Sequence, residues 1–153
     1  SRSILNVHII TTPNSAAADH AAHRERWLKQ HRKPVRGVTT GADKWLHVHH
    51  HVTAQACTDE LRKHAFRVLC AKPEAAELDV VRSDVVPLHR VDFLLPTALV
   101  FGNEKCGVSP EMSKLSDGDF TIPMVGLTES LNISVAAGIC MHWGRIARLQ
   151  ALS

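Results

Sequence analysis

No uninterrupted apolar run in this chain approaches the length of a membrane span, and no signal-peptide pattern opens it. Its four cysteines (Cys57, Cys70, Cys106 and Cys140) are widely spaced and contain no C-x-x-C pair. A disulfide framework is therefore not expected, and the thiols read as reduced and mostly buried, in a cytosolic or organellar protein. There is no G-x-G-x-x-G, which removes the dinucleotide fingerprint. Gly102 and Gly107 have the spacing of a phosphate-binding loop, but Val108-Ser109 follows where that loop needs Lys-Ser/Thr. Without the lysine no side chain bridges the terminal phosphates, and nucleoside triphosphate hydrolysis is excluded. Internal repeats and low-complexity tracts are lacking too. Charge of one sign is in short supply: the formal net charge is +3 with 11 histidines, which permits an RNA partner without demanding one.

What is present suits one domain. A chain of 153 residues, 44% hydrophobic, can bury a core. Strand-like runs at residues 4–10, 46–52, 66–71, 97–101 and 119–122 alternate with helical compositions at 15–30, 53–64 and 131–149. Alternation of this kind predicts an α/β fold with a mostly parallel sheet flanked by helices. The nearly uninterrupted apolar run 97–101 reads as a central strand. Ser109-Pro110-Glu111 reads as a helix start, with serine as the cap and proline in the first turn. In the last helix Leu131, Val135, Ile139, His142, Ile146 and Leu149 make one apolar face, interrupted by His142.

Two clusters of basic and imidazole side chains invite functional readings. Residues 20–36 are the most basic stretch, and Arg32, Lys33 and Arg36 are its candidate RNA-phosphate contacts; a solvated surface is the plain alternative. His47, His49 and His51 would share one face of a strand, with His50 on the other. No cysteine or carboxylate pattern adjoins them in sequence, so no metal site is expected.

Ile122-Pro123-Met124-Val125-Gly126-Leu127-Thr128-Glu129-Ser130-Leu131-Asn132-Ile133-Ser134-Val135-Ala136 is the most informative segment. It runs from a strand through a glycine-containing loop into a helix whose first residues would gather unpaired backbone N–H groups and a partial positive charge. Upstream, Gly102-Asn103-Glu104-Lys105-Cys106-Gly107 follows another strand. Read alone, the first loop is an ordinary strand-to-helix connection, and Ser130 and Asn132 are ordinary helix caps. Read as a pair, in this order and spacing, they resemble motifs 2 and 3 of the SpoU family of SPOUT RNA methyltransferases. The wording is most similar to that of the TrmH-type tRNA guanosine 2′-O-methyltransferases. A weaker likeness extends upstream through Thr40-Gly41-Ala42-Asp43-Lys44-Trp45 and the strand ending at Cys70-Ala71.

The resemblance implies a fold whose C-terminal part is threaded into a trefoil knot, with S-adenosyl-L-methionine held between three loops, here 71–73, 102–107 and 122–131. It assigns cofactor binding to Ala71, Gly102, Gly107, Ile122, Met124, Leu127 and Leu131, largely through backbone atoms, with Leu99 also against the adenine. Glu104, Ser130 and Asn132 match residues that shape the catalytic site. The implied reaction is methylation of an RNA ribose 2′-hydroxyl, on a tRNA guanosine or on ribosomal RNA, by a homodimer that needs no metal. In the family, an asparagine and an arginine precede the first strand, the arginine being assigned to activating the hydroxyl. Here only Ser1-Arg2-Ser3 precedes the strand-like run, and Arg2 is too close to it to match. With a first residue other than methionine, the expectation is a single SPOUT domain, residues 1–153, that lacks its N-terminal motif and is inactive or weakly active. A catalytically silent RNA-binding dimer that keeps the cofactor pocket is the alternative.

Overall fold

The computed structural model describes residues 6–10, 46–73, 85–103, 106–124 and 130–153. It contains two compact units, Ser1–Cys57 and Thr58–Ser153. The expected helix at 15–30 and the basic loop that follows it lie outside the described residues. Among the described residues, no helix is long and apolar enough to cross a membrane.

In the first unit, strand β1 (Asn6–Ile10) pairs in parallel with β2 (His47–His51), Asn6 opposite His47 and Ile10 opposite His51. Side chains alternate across a strand, so this register sets His8 on the face that carries His47, His49 and His51. Helix α1 (Ala54–Lys63) follows, and the boundary between the units falls inside it. Thr53 closes its first turn. The hydroxyl accepts from the Ala56 N–H at 3.1 Å, and the carbonyl accepts from the Cys57 N–H at 3.3 Å.

The second unit contains β3 (Arg67–Ala71), β4 (Val85–Pro87), β5 (Thr97–Val100), α2 (Pro110–Leu115), β6 (Gly118–Thr121) and α3 (Ile133–Gln150). Its four strands make one parallel sheet in the order β4-β6-β3-β5. The expected central strand, 97–101, is therefore misplaced: β5 ends the order among the described residues, and all four of its residues are half-buried. The interior strands are β6 and β3, and in β3 Val68 and Cys70 are fully buried on one face and Leu69 is buried on the other. An apolar run signals that both faces of a strand are covered; it does not say how many of its edges are paired. Strand β4, only three residues long and ended by proline, is too short to show periodicity and was not expected.

Asp117 fixes the start of β3. Its carboxylate accepts from the Val68 N–H at 2.7 Å and from Arg62 at 3.1 Å, while its own N–H donates to the Val68 carbonyl at 2.8 Å. Above it, Leu69, Leu88, Val91, Phe93, Phe120 and Cys140 form a core cluster. Phe101 meets Phe120 edge-on, with ring centroids 6.1 Å apart.

Helix α3 presents to this core the face that sequence periodicity did not select. Ala136 and Cys140 are buried, and Ala147 packs against the cluster. A Cβ on Gly144 would come within 3.1 Å of the Phe93 ring, and Arg148 Nε donates to the Phe93 carbonyl at 2.7 Å. Small side chains allow this close approach. The bulkier Val135, Ile139 and Leu149 of the predicted apolar face are exposed instead. Hydrophobicity marks both stripes, and side-chain size decides which one can lie on the sheet.

Burial pushes the Cys140 thiol from its ordinary 9.0 up to about 11. A proton retained by the fold stabilises it below the unfolded value, and that contribution is lost as pH rises toward the folded one. The native state should therefore weaken between pH 9.0 and about 11. Denaturant melts across this window should show a smaller loss for Cys140→Ala than for the parent chain; an equal loss would remove Cys140 as a cause.

Candidate cofactor and substrate site

Strands β6, β3 and β5 are adjacent and parallel, so their C-terminal ends leave the sheet along one edge, where open α/β sheets bind ligands. The register aligns Ala71 of β3 with Phe120 of β6, and Cys70 with Val100 of β5. The chain segments that begin at Ala71, Phe101 and Ile122 therefore emerge side by side. Three predicted cofactor residues, Ala71, Gly102 and Ile122, are brought to this edge. The Lys72 N–H extends the pairing by donating to the Phe120 carbonyl at 2.8 Å. Its ammonium donates to Ser113 Oγ at 2.9 Å and lies 4.0 Å from Asp119.

The glycine loop is a closed turn. Asn103 accepts the Gly107 N–H on its carbonyl at 2.9 Å and the Cys106 N–H on its side-chain oxygen at 2.7 Å. Gly107 has φ +65°, the left-handed region that favours glycine. At Gly102 the constraint is space: a Cβ there would sit 1.9 Å from the Gly107 carbonyl carbon and 2.2 Å from the Val108 nitrogen. Both glycines are thus demanded by the turn itself. Ser109 caps α2 as expected, its Oγ accepting from the Met112 N–H at 3.2 Å. Glu104 lies outside the described residues.

On the third segment, Ile122 packs against the core cluster and Met124 is half-buried. Leu127 lies outside the described residues, as do Arg32, Lys33 and Arg36. Ser130 is exposed and Leu131 half-buried, immediately before Asn132, the N-cap of α3. The Asn132 side-chain oxygen accepts from the Ser134 N–H at 2.9 Å and from the Ser134 hydroxyl at 2.6 Å. Its amide N–H groups are the part left to engage a ligand. No acidic residue occupies the first turn of α3 to offset the helix's partial positive charge.

The edge therefore offers backbone amides and carbonyls together with half-buried Ala71, Leu99, Ile122 and Met124. Such a lining suits a flat, neutral heterocycle that needs a few fixed hydrogen bonds and apolar cover. Asn103 and Lys72 are the structural residues that sequence reading did not single out. An asparagine directly after the first glycine of a tight loop was the available signal for Asn103.

The chain matches the SpoU rRNA Methylase family over residues 8–142. It is 35% identical over 124 residues to a tRNA (guanosine(18)-2′-O)-methyltransferase of Thermus thermophilus, covering 77% of this chain and 60% of that protein. To the Escherichia coli enzyme of the same name it is 26% identical over 146 residues, covering 95% of this chain and again 60% of the relative. The chain thus spans about 60% of the length of these curated relatives. Among solved structures it resembles the A. aeolicus TrmH/SpoU tRNA modifying enzyme, with TM-score 0.69, 28% identity, and coverage of 96% of this chain and 63% of that one. It also resembles the SpoU methyltransferase AviRb from Streptomyces viridochromogenes in complex with AdoMet, with TM-score 0.58, 25% identity, and coverage of 74% and 40%. The two glycine-containing loops, which leave the strands β5 and β6 on either side of β3 in one parallel sheet, accord with these matches: the chain belongs to the SpoU rRNA Methylase family.

Proposed function

We propose that this chain is the catalytic domain of an S-adenosyl-L-methionine-dependent RNA 2′-O-ribose methyltransferase acting on a guanosine of tRNA, in the cytosol or an organellar matrix. The observation that carries the reading is the convergence of the segments after β3, β5 and β6 on one sheet edge. The tRNA target is favoured over ribosomal RNA by the names of the Thermus and E. coli relatives. The family match runs across the boundary between the two units, which supports treating both as parts of one methyltransferase domain.

In this reading Ala71, Gly102, Gly107, Ile122 and Leu131 hold the cofactor through backbone groups, with Leu99, Met124 and Leu127 against its adenine. Bound S-adenosyl-L-methionine supplies a methyl group activated by a sulfonium. The protein's task is then alignment: bringing the ribose hydroxyl into line and excluding water. Ser130 and Asn132 are uncharged hydrogen-bonding groups, so they orient rather than take up the hydroxyl proton. Asn132 is suited to this because Ser134 already fixes its side-chain oxygen. Glu104 anchors the glycine loop or meets the substrate. Arg32, Lys33 and Arg36 contact RNA phosphate.

Two further features belong to the same reading. A trefoil threading of the C-terminal part is supported by β6, which enters between β3 and β4 although it is the last strand. A homodimer is supported by the exposed apolar stripe Val135, Ile139 and Trp143 on α3, which a second copy would cover.

Calorimetric titration with S-adenosyl-L-methionine should give saturable binding that Gly102→Ala weakens at least about tenfold, since the added Cβ forces the turn to be rebuilt. No heat from the parent chain at high micromolar cofactor would sink the cofactor reading. Methyl transfer from labelled cofactor to tRNA should fall at least about tenfold in kcat/KM for Asn132→Ala. Preference for ribosomal RNA over tRNA in that assay would overturn the substrate assignment. Replacing Arg32, Lys33 and Arg36 together with alanine should weaken tRNA binding and reduce the slope of log affinity against log salt by about 2 to 3. An unchanged slope would reject the basic segment as a phosphate contact.

A further inference from the structure

We propose that His8, His51 and Cys57 form a three-ligand site for a divalent transition-metal ion, zinc foremost, that ties together β1, the end of β2 and the first turn of α1. One ring nitrogen from each histidine and the Cys57 sulfur all lie within 4.8 Å of one another. Each ligand comes from a different element, and all three belong to the first unit. The expectation of no metal rested on the lack of a cysteine beside the histidine run in sequence. Folding supplies both a cysteine and a further histidine, Cys57 from α1 and His8 from β1.

The backbone sets the pairing. His8 stands opposite His49 and Ile10 opposite His51, so His8 and His51 are diagonal neighbours on one face. Their rings lie within 9° of parallel with centroids 5.2 Å apart, while His8 Nδ1 and His51 Nε2 are only 2.9 Å apart. That combination places the rings edge to edge with one nitrogen facing the other. Two nitrogens so disposed can share a proton, or they can share a cation once the rings turn to converge on it.

At tetrahedral zinc, bonds of about 2.0–2.1 Å to nitrogen and about 2.3 Å to sulfur separate the ligand atoms by roughly 3.3–3.6 Å. The two nitrogens need to part by a few tenths of an ångström, and the sulfur needs to close in by about 1.2 Å at most. His49 stacks on the His8 ring at 4.6 Å and reaches Asn6 Oδ1 at 3.3 Å, which holds the His8 ring plane while leaving rotation within it. Cys57 is 3% exposed and the two histidines are half-buried, so a fourth position remains for water. Imidazole and thiolate together favour zinc over magnesium or calcium. As the metal–sulfur bond forms, the thiol proton passes to solvent.

Cobalt(II) titration of the metal-free chain, carrying no affinity tag, tests the site. One equivalent should bind with a near-ultraviolet thiolate-to-cobalt charge-transfer band, lost in Cys57→Ser and kept in Cys106→Ser. In zinc competition against a chromogenic chelator, His51→Asn should weaken binding at least about tenfold, and His47→Ala should leave it unchanged. Where Cys57→Ser does not fold, His51→Asn at its half-buried position decides the matter. The proposal is overturned by the absence of a charge-transfer band in the parent chain, or by equal zinc affinity in parent and His51→Asn. Binding lost in His47→Ala but kept in His51→Asn would also overturn it, placing the ion on the exposed strand surface.

Discussion

The last strand of the sheet is hydrogen-bonded on both edges by strands that precede it in the chain. Strand β6 pairs with β3 through Ala71 and Phe120 and with β4 through Val86 and the same Phe120. This single insertion accounts for much of the second unit. It buries Phe120 completely, brings Asp117 onto the Val68 amide, and sets Ile122 beside the end of β3. Parallel neighbours cannot be joined by a tight hairpin. The connections must therefore leave the sheet and return to it, and those that leave the ends of β3, β5 and β6 gather at the edge where the candidate cofactor residues stand.

Locally encoded features were legible in the sequence. Ser109-Pro110 specifies the start of α2 through one side-chain acceptor and one missing donor, and Asn132 caps α3 in the same manner. The two glycines of the 102–107 loop were legible as a turn, and the structure shows that each has its own reason, φ at Gly107 and space at Gly102. Features that depend on distant partners were not legible. Which face of α3 lies inward is decided by how closely Gly144 can approach Phe93, fifty-one positions earlier in the chain. The same limit hid the interior position of β3, the short β4, and the meeting of His8 with Cys57.

Asn132 illustrates why structural and functional readings of one residue need not compete. A side-chain amide has an acceptor end and a donor end. The acceptor end is engaged by Ser134 and stabilises the first turn of α3, which orients the donor end. A residue held at one end by the fold is a better positioning group than a free one, because less rotamer freedom remains to be lost on binding.

The place of β6 also bears on how the chain is made. Synthesis is vectorial, so β3 leaves the ribosome long before residues 118–121 exist. Until then one edge of the most deeply buried strand of the unit has no permanent neighbour, and only β5 can occupy the other. An unpaired strand edge is a template for adventitious pairing. Nascent chains halted between Ala71 and Gly118 therefore expose that edge, and the protein's need for chaperone shielding should be greatest during translation rather than after release.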